Sequence, residues 1–154
     1  MGEKIMGTSK YVSDVKIINQ NNEIVFNFLS DLQNFGLFFN EYTLAQLSQQ
    51  IPKLKITDFS CDSDNLNFTI ENYGEAGLEI IERENPKTIK ISGKGKIPFK
   101  LFLWIQILPV TSYQSKMRLT LHAELNVMMK MLVGKKLEDG INKIADALTV
   151  LPYH

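Results

Sequence analysis

NVMMKMLVGKKLEDGINKIADALTVL, Asn126 to Leu151, is the one long, continuous helical pattern in the chain. From Val133 onward Val133, Leu137, Ile141, Ile144, Ala145, Leu148 and Leu151 recur at helical spacing, while Lys135, Lys136, Asp139, Lys143 and Asp146 fall on the opposite side. Asn126 is placed to cap the first turn. On a wheel of 100° per residue Gly134 and Gly140 lie on the apolar side, where each costs up to about 1 kcal/mol relative to Ala. A helix built only for stability would carry Leu or Ala there, so the neighbouring space is taken by something: the backbone of a sheet, or a ligand.

What precedes this helix reads as a surface for it to lie on. Tyr11 to Asn19 alternates as a strand with Val15 and Ile17 on one side. Asn21 then caps a helix through NEIVFNFLSDLQNF, with Ile24, Phe28, Phe35 and Phe39 on one face and Gly36 as its end. Leu37 to Gln50 reads as a second short helix with loop, closed by Pro52. Six strand patterns follow: Leu54 to Phe59, Leu66 to Glu71, Leu78 to Arg83, Thr88 to Lys96, Phe99 to Val110 and Lys116 to Leu125. The turns between them are short, which implies antiparallel hairpins in one meander. With one sheet and one long amphipathic helix, the core must lie between the two. The expectation is an α+β fold of about seven strands in the order β-α-α-β6-α.

Alternation assigns the faces. On the last strand Met117, Leu119, Leu121, Ala123 and Leu125 face the helix, and Arg118, Thr120, His122 and Glu124 face away. On the strand before it Leu101, Leu103, Ile105 and Ile107 point inward, leaving Phe102 and Trp104 outward. Ile89, Ile91, Gly93 and Gly95 complete the inner set, and Lys90, Lys94, Lys96 and Lys100 form an outward basic row, read as a solvated sheet face, with a partner or anionic-lipid contact as the alternative.

Composition bounds the function. The 154 residues make one domain, read as a leader over 1–9 followed by a globular unit over 10–154. Lys plus Arg and Asp plus Glu are both 17, so no net field points to nucleic acid or to an anionic membrane. A lone cysteine, no secretory leader and no apolar run of membrane-spanning length point to a cytoplasmic protein without stable membrane insertion. No metal, cofactor or nucleophile motif is expected: Cys61 has no activating base, Asp58, Asp62 and Asp64 lack the rest of a calcium loop, and Gly93-Lys94-Gly95-Lys96 is not a phosphate loop. His122 and Glu124 share a strand face, but the outer one. His154 is read as an unordered last residue.

The order of elements, the VFNFLSD segment (Val25 to Asp31), the LFLWIQI strand and the LNVMMKMLVGKKLEDGINKIADAL helix resemble the START-like (SRPBCC) superfamily, in particular its small bacterial members. The resemblance spans Lys10 to Leu151 and rests on structural signatures. It implies a helix-grip fold, a curved sheet around the last helix with a cavity between them. Relatives hold lipids, sterols, quinones, polyketides or plant hormones there, others are aromatase/cyclases, and one branch activates a chaperone ATPase. The expected function is therefore binding of a hydrophobic small molecule, with a polyketide cyclase/aromatase activity or a surface-acting module with a filled core as alternatives. The expected ligand-contacting residues are Phe35, Phe39, Ile91, Gly93, Leu101, Leu103, Leu119, Leu121, Met131, Gly134, Leu137 and Ile141. Methionines at the start of the last helix are read as a pliable gate or as ordinary packing, and Phe102 with Trp104 as a sheet-to-sheet homodimer contact or as residues covered by the N-terminal segment.

Overall fold

A computed structural model of the chain describes residues 7–36, 55–97 and 99–154. The chain runs through β1 (Thr8–Val12), β2 (Lys16–Ile18), α1 (Asn22–Leu29), a 3-10 turn (Leu32–Phe35), β3 (Ile56–Cys61), β4 (Asn65–Ile70), β5 (Gly74–Glu84), β6 (Thr88–Gly95), β7 (Leu101–Thr111), β8 (Gln114–Glu124) and α2 (Val127–Leu148). Strands β3 to β8 form an antiparallel meander, and the first strands close onto the last one. The sheet order is β1-β8-β7-β6-β5-β4-β3, with β2 also paired to β8, giving eight strands. The long helix packs on the inner face of this sheet, as the periodicity requires.

The first strand departs from expectation. It is broken in two at Ser13, whose amide donates to the Leu119 carbonyl while its Oγ accepts from the Leu119 amide, both at 2.9 Å. Asp14 then leaves the ladder and donates its amide to Asn142 Oδ1 on α2 at 2.8 Å. The chain re-enters the sheet in a different phase: Ile18 is buried, whereas Val15 and Ile17 stand 57% and 50% exposed. Thr8 and Ser9, assigned to the leader from sequence, pair with Glu124 and Ala123 as part of β1.

Helix α1 starts where predicted, with Asn21 Oδ1 accepting from the Glu23 amide at 2.9 Å. It ends at Leu29 instead of continuing to Gly36. Ser and Asp divert backbone groups from a helix to local turns, and Asp31 Oδ1 accepts from the Gln33 amide at 3.0 Å to open the 3-10 turn. The carbonyl end of α1 is held by Arg83, whose Nε and Nη2 both donate to the Ser30 carbonyl, at 3.0 and 2.8 Å. Nη2 also reaches the Ser63 carbonyl at 3.2 Å and Asp64 Oδ1 at 2.6 Å. One guanidinium thereby ties α1, the β3–β4 turn and β5 together. The helix expected over Leu37 to Gln50, with Phe39, lies outside the described residues.

The sealed part of the core joins Ile89, Ile105, Ile107, Met117 and Leu119 of the sheet to Val25, Phe26, Phe28 and Leu29 of α1 and to Ile141, Ala145 and Leu148 of α2. The C-terminal residues close it. Tyr153 Oη donates to the Leu148 carbonyl at 2.6 Å and its ring meets Phe28 edge-on, with centroids 5.0 Å apart. His154, read from sequence as unordered, also stacks its ring edge against Phe28, at 5.7 Å.

Candidate functional site

Helix α2 begins as its sequence requires, with Asn126 Oδ1 accepting from the Met129 amide at 2.8 Å. It rests mainly on β8 and β1. One flank is pinned to the β1–β2 edge: Asn142 receives the Asp14 amide, and Asp146 meets Lys16 Nζ at 2.7 Å. That hydrogen bond to Asp146 raises the Lys16 pKa above its ordinary value. By helical geometry the opposite flank, carrying Val133, Leu137, Gly140 and Ile144, is turned across the sheet toward β7 and the strands beyond it.

The inner face of the sheet has two parts. Next to α1 and the C-terminal half of α2, its side chains are buried: Ile80, Ile89, Ile91, Ile105, Ile107, Met117 and Leu119. Toward the start of α2 the same face carries Leu78, Leu101, Leu103, Leu121 and Phe68, all only half-buried. Register keeps this second set on one surface, since Leu101 pairs with Ala123, Leu103 with both Ile91 and Leu121, and Leu66 with Leu78. At the end of this region a depression of about 450 Å³ opens between Gly93, Ile97, Phe99, Lys100 and Glu124.

The inner glycines divide in the same way. A Cβ on Gly93 would come within 2.9 Å of Leu101 Cγ and 3.0 Å of Ile97 Cδ1, so these side chains take up its space. Gly95 has φ +74° and a Cβ there would lie 2.5 Å from the Glu75 carbonyl oxygen, so it serves a backbone turn and close strand contact. Gly134 lies against the Tyr11 hydroxyl, which would be 3.3 Å from an added Cβ. Gly140 alone of these four opens on free space, with no atom within 4 Å of an added Cβ. The tight-contact reading therefore holds for three of the positions, and the open-space reading for one.

Of the residues singled out from sequence, Leu101, Leu103, Leu121 and Leu137 are half-buried in the open part. Ile91, Leu119 and Ile141 belong to the sealed core, with almost no exposed surface. Phe35 packs against that core from the 3-10 turn. Met131 is 81% exposed, with Met128 and Leu132 also exposed beside it, so it stands at the rim in solvent and not on an inner wall. Phe39 lies outside the described residues.

Sequence reading missed Tyr11, Phe68 and Leu78. Tyr11 shares its strand face with Ser9 and Ser13, and two serines masked the pattern. Its hydroxyl is buried and has no hydrogen-bond partner, one of two such side-chain groups among the described residues; the other is Ser115. His122 and Glu124 face outward, and the His122 ring meets Trp104 at 4.6 Å, so they form no acid/base pair at this surface. Among the described residues no three His, Cys, Asp or Glu side chains gather as metal ligands.

An antiparallel sheet holding a long C-terminal helix along one side of its inner face is the helix-grip architecture of START-like proteins. Norcoclaurine synthase from Thalictrum flavum, solved in complex with dopamine and hydroxybenzaldehyde, is similar over 95% of this chain and 87% of its own, with a TM-score of 0.59 at 11% identity. The Aha1 dimer from Colwellia psychrerythraea matches over 94% of this chain and 98% of its own, with a TM-score of 0.57 at 13% identity. A START superfamily protein from Mycobacterium smegmatis matches over 92% and 94%, with a TM-score of 0.53 at 16% identity. At such identities the likeness concerns the fold alone. No protein-family model matches the sequence, and no curated protein is similar to it in sequence. Among the described residues no helix is long and apolar enough to cross a membrane.

Proposed function

We propose that the protein binds a hydrophobic small molecule, such as a lipid, quinone or polyketide-like compound, between the open part of the inner sheet face and the flank of α2. The observation that carries this reading is the set of half-buried Leu78, Leu101, Leu103, Leu121 and Phe68 on a face whose continuation is fully sealed, with Gly140 opening on free space. Apolar walls favour a ligand by burial: about ten methylenes removed from water contribute roughly 8 kcal/mol before ordering costs. The reading is supported by norcoclaurine synthase, similar in fold, which was solved in complex with dopamine and hydroxybenzaldehyde.

Catalysis of the cyclase or aromatase kind calls for polar groups on the same surface. The polar atom best placed for it is the unpartnered Tyr11 hydroxyl, a donor able to hold a ligand oxygen. Among the described residues no carboxylate or imidazole joins it on the inner strand set, and this favours binding over chemistry.

Native mass spectrometry of protein purified from cells, with and without added fatty acid or quinone, tests the proposal. A bound species is expected for the natural chain and not for Leu103→Arg, whose charge would be stranded on the apolar wall. Absence of any bound species in both preparations overturns it.

A further inference from the structure

On the outer face of the sheet the charges are separated along the strand order, with cations on β1, β8 and β6 and carboxylates on β5. Register sets the rows. Ile17 lies opposite Lys116, which lies opposite Leu108. Arg118 and Thr88 flank Gln106, with Val15 beside them. Val12, Thr120, Trp104 and Lys90 form the next row, and Lys10, His122, Phe102 and Ser92 the one after it.

Two features recur along these rows. Val12, Val15, Ile17, Leu108 and Val110 are exposed aliphatic side chains. Interleaved with them are Lys10, Lys90, Lys116 and Arg118, with Lys87 and Lys100 at the margins, and among the described residues none is in a salt bridge. Carboxylates continue the same rows on β5: Glu82 lies directly opposite Lys90 and lines one depression with it and Trp104, Glu84 lies opposite Thr88, and Glu79 lies opposite Ser92. Glu124 stands beside Lys100. The cations of the rows with no carboxylate facing them across the ladder are therefore Lys10, Lys116 and Arg118. Between the rows a depression of about 360 Å³ is lined by Val15, Lys87, Thr88, Gln106, Leu108 and Arg118. Arg118 is steadied there by Nε and Nη2 bonds to Gln106 Oε1 at 3.3 and 2.9 Å.

We infer that this face docks the protein on an anionic phospholipid surface, with the cations on headgroup phosphates and the aliphatic side chains in the headgroup–acyl boundary. The mixture is what such a surface recognises: lysine and arginine attracted to negative lipid, amphipathic Trp104 at the interface, and apolar side chains that gain by leaving water. The depression between Lys87 and Arg118 has the charge to seat one phosphate group. Single-stranded nucleic acid would need free aromatic faces for stacking. Here Lys90 Nζ lies 5.0 Å from the Phe102 ring centroid and 5.1 Å from that of Trp104, Lys100 Nζ lies 5.8 Å from Phe102, and His122 meets Trp104 edge-on. A second copy stacked on the same patch, the dimer expected from Phe102 and Trp104, would set cations against cations near its centre.

Trp104 is the sole tryptophan, so its fluorescence reports on this face. Sedimentation with phosphatidylcholine vesicles, with and without phosphatidylserine, is expected to pull the protein down only when phosphatidylserine is present. The bound protein should show a blue-shifted Trp104 emission quenched by brominated phosphatidylcholine, and high salt should release it. Lys116→Ala and Arg118→Ala should each weaken partition about fivefold, the effect of one basic residue near such a surface. Val15→Ser with Ile17→Ser should weaken it while leaving the salt dependence in place. All four side chains are exposed, and far-UV circular dichroism confirms that each variant is folded.

No partition onto phosphatidylserine vesicles at low salt overturns the inference, as does partition indifferent to these variants. A Trp104 response to a single-stranded oligonucleotide in place of vesicles also overturns it, and so does a dimeric solution mass that Trp104→Lys reduces to a monomer. Leu103→Arg, on the other side of the sheet, should leave vesicle binding unchanged, so failure here and failure of the internal site are read separately.

Discussion

The inner face of the sheet is one surface built in two ways. Around Ile107, Met117 and Leu119 it is pressed between α1 and the last turns of α2 and excludes water; around Leu101, Leu103 and Leu121 the same alternating strands leave their side chains partly exposed. The strands do not differ in kind between the two regions. The difference lies in what covers them: α1 and the C-terminal residues stand over one end, while α2 lies to one side at the other, on β8 and β1. Stability and accessibility are thus assigned to opposite ends of the same strands.

The strongest way to break that comparison is to truncate one side chain at each end. Leu119→Ala, in the sealed part, is expected to cost about 2–5 kcal/mol in urea denaturation, because a cavity is left behind. Leu103→Ala should cost about 1–2 kcal/mol, since less surface is returned to water. Equal losses would mean that both ends are packed alike.

The glycines sharpen it on a smaller scale. Gly140→Ala should stabilise by up to about 1 kcal/mol, because it adds helix propensity and meets no neighbour. Gly93→Ala should instead destabilise, its new methyl forcing Leu101 and Ile97 aside. Thermal melting of the two variants gives opposite signs if the division is right.

Tyr153 probes the closing residues of the sealed end. Burial raises its phenol pKa above the ordinary 10.0, so its folded state retains the proton longer than the unfolded chain does. The stability tied to this group is complete below pH 10.0 and is lost as pH rises through the folded value. Tyr153→Phe should remove that part of the alkaline loss and cost about 1 kcal/mol at neutral pH through the missing bond to Leu148. Urea midpoints for both proteins across that range test the two effects together.

The smallest effect is expected at Tyr11. Its hydroxyl has no partner to lose, so Tyr11→Phe should leave stability unchanged or slightly higher. A reduced affinity in this variant for an oxygen-bearing ligand, with unchanged affinity for a plain hydrocarbon chain, would place that hydroxyl in the binding site.

Much of this architecture is legible in the residues themselves, because local rules set it. Asn126 caps α2 and Asn21 caps α1 where their side chains predict, and the alternation of β7 and β8 places Ile105, Ile107, Met117 and Leu119 inward as read. What sequence could not show depends on partners far along the chain. Val15 and Ile17 turn outward because Ser13 and Asp14 bond to Leu119 and Asn142, more than a hundred residues away. The early end of α1 rests on Ser30 and Asp31, whose stop signal is weaker in sequence than the glycine after them. Gly93 and Gly140 look alike as letters and differ only in the side chains that surround them. Met131 belongs to the methionine-rich start of α2, yet it stands in solvent.

The interruption at Ser13 has a consequence beyond packing. An open sheet offers its border strands as templates on which further chains can add, the route to fibrils. Here one border is cut into segments of five and three residues, with Ser13 engaging both the amide and the carbonyl of Leu119 through its own Oγ and N–H. An incoming strand would find no uninterrupted row of amides along that margin, and replacing Ser13 with a residue unable to make this bond would expose the protein to self-assembly before it abolished the fold.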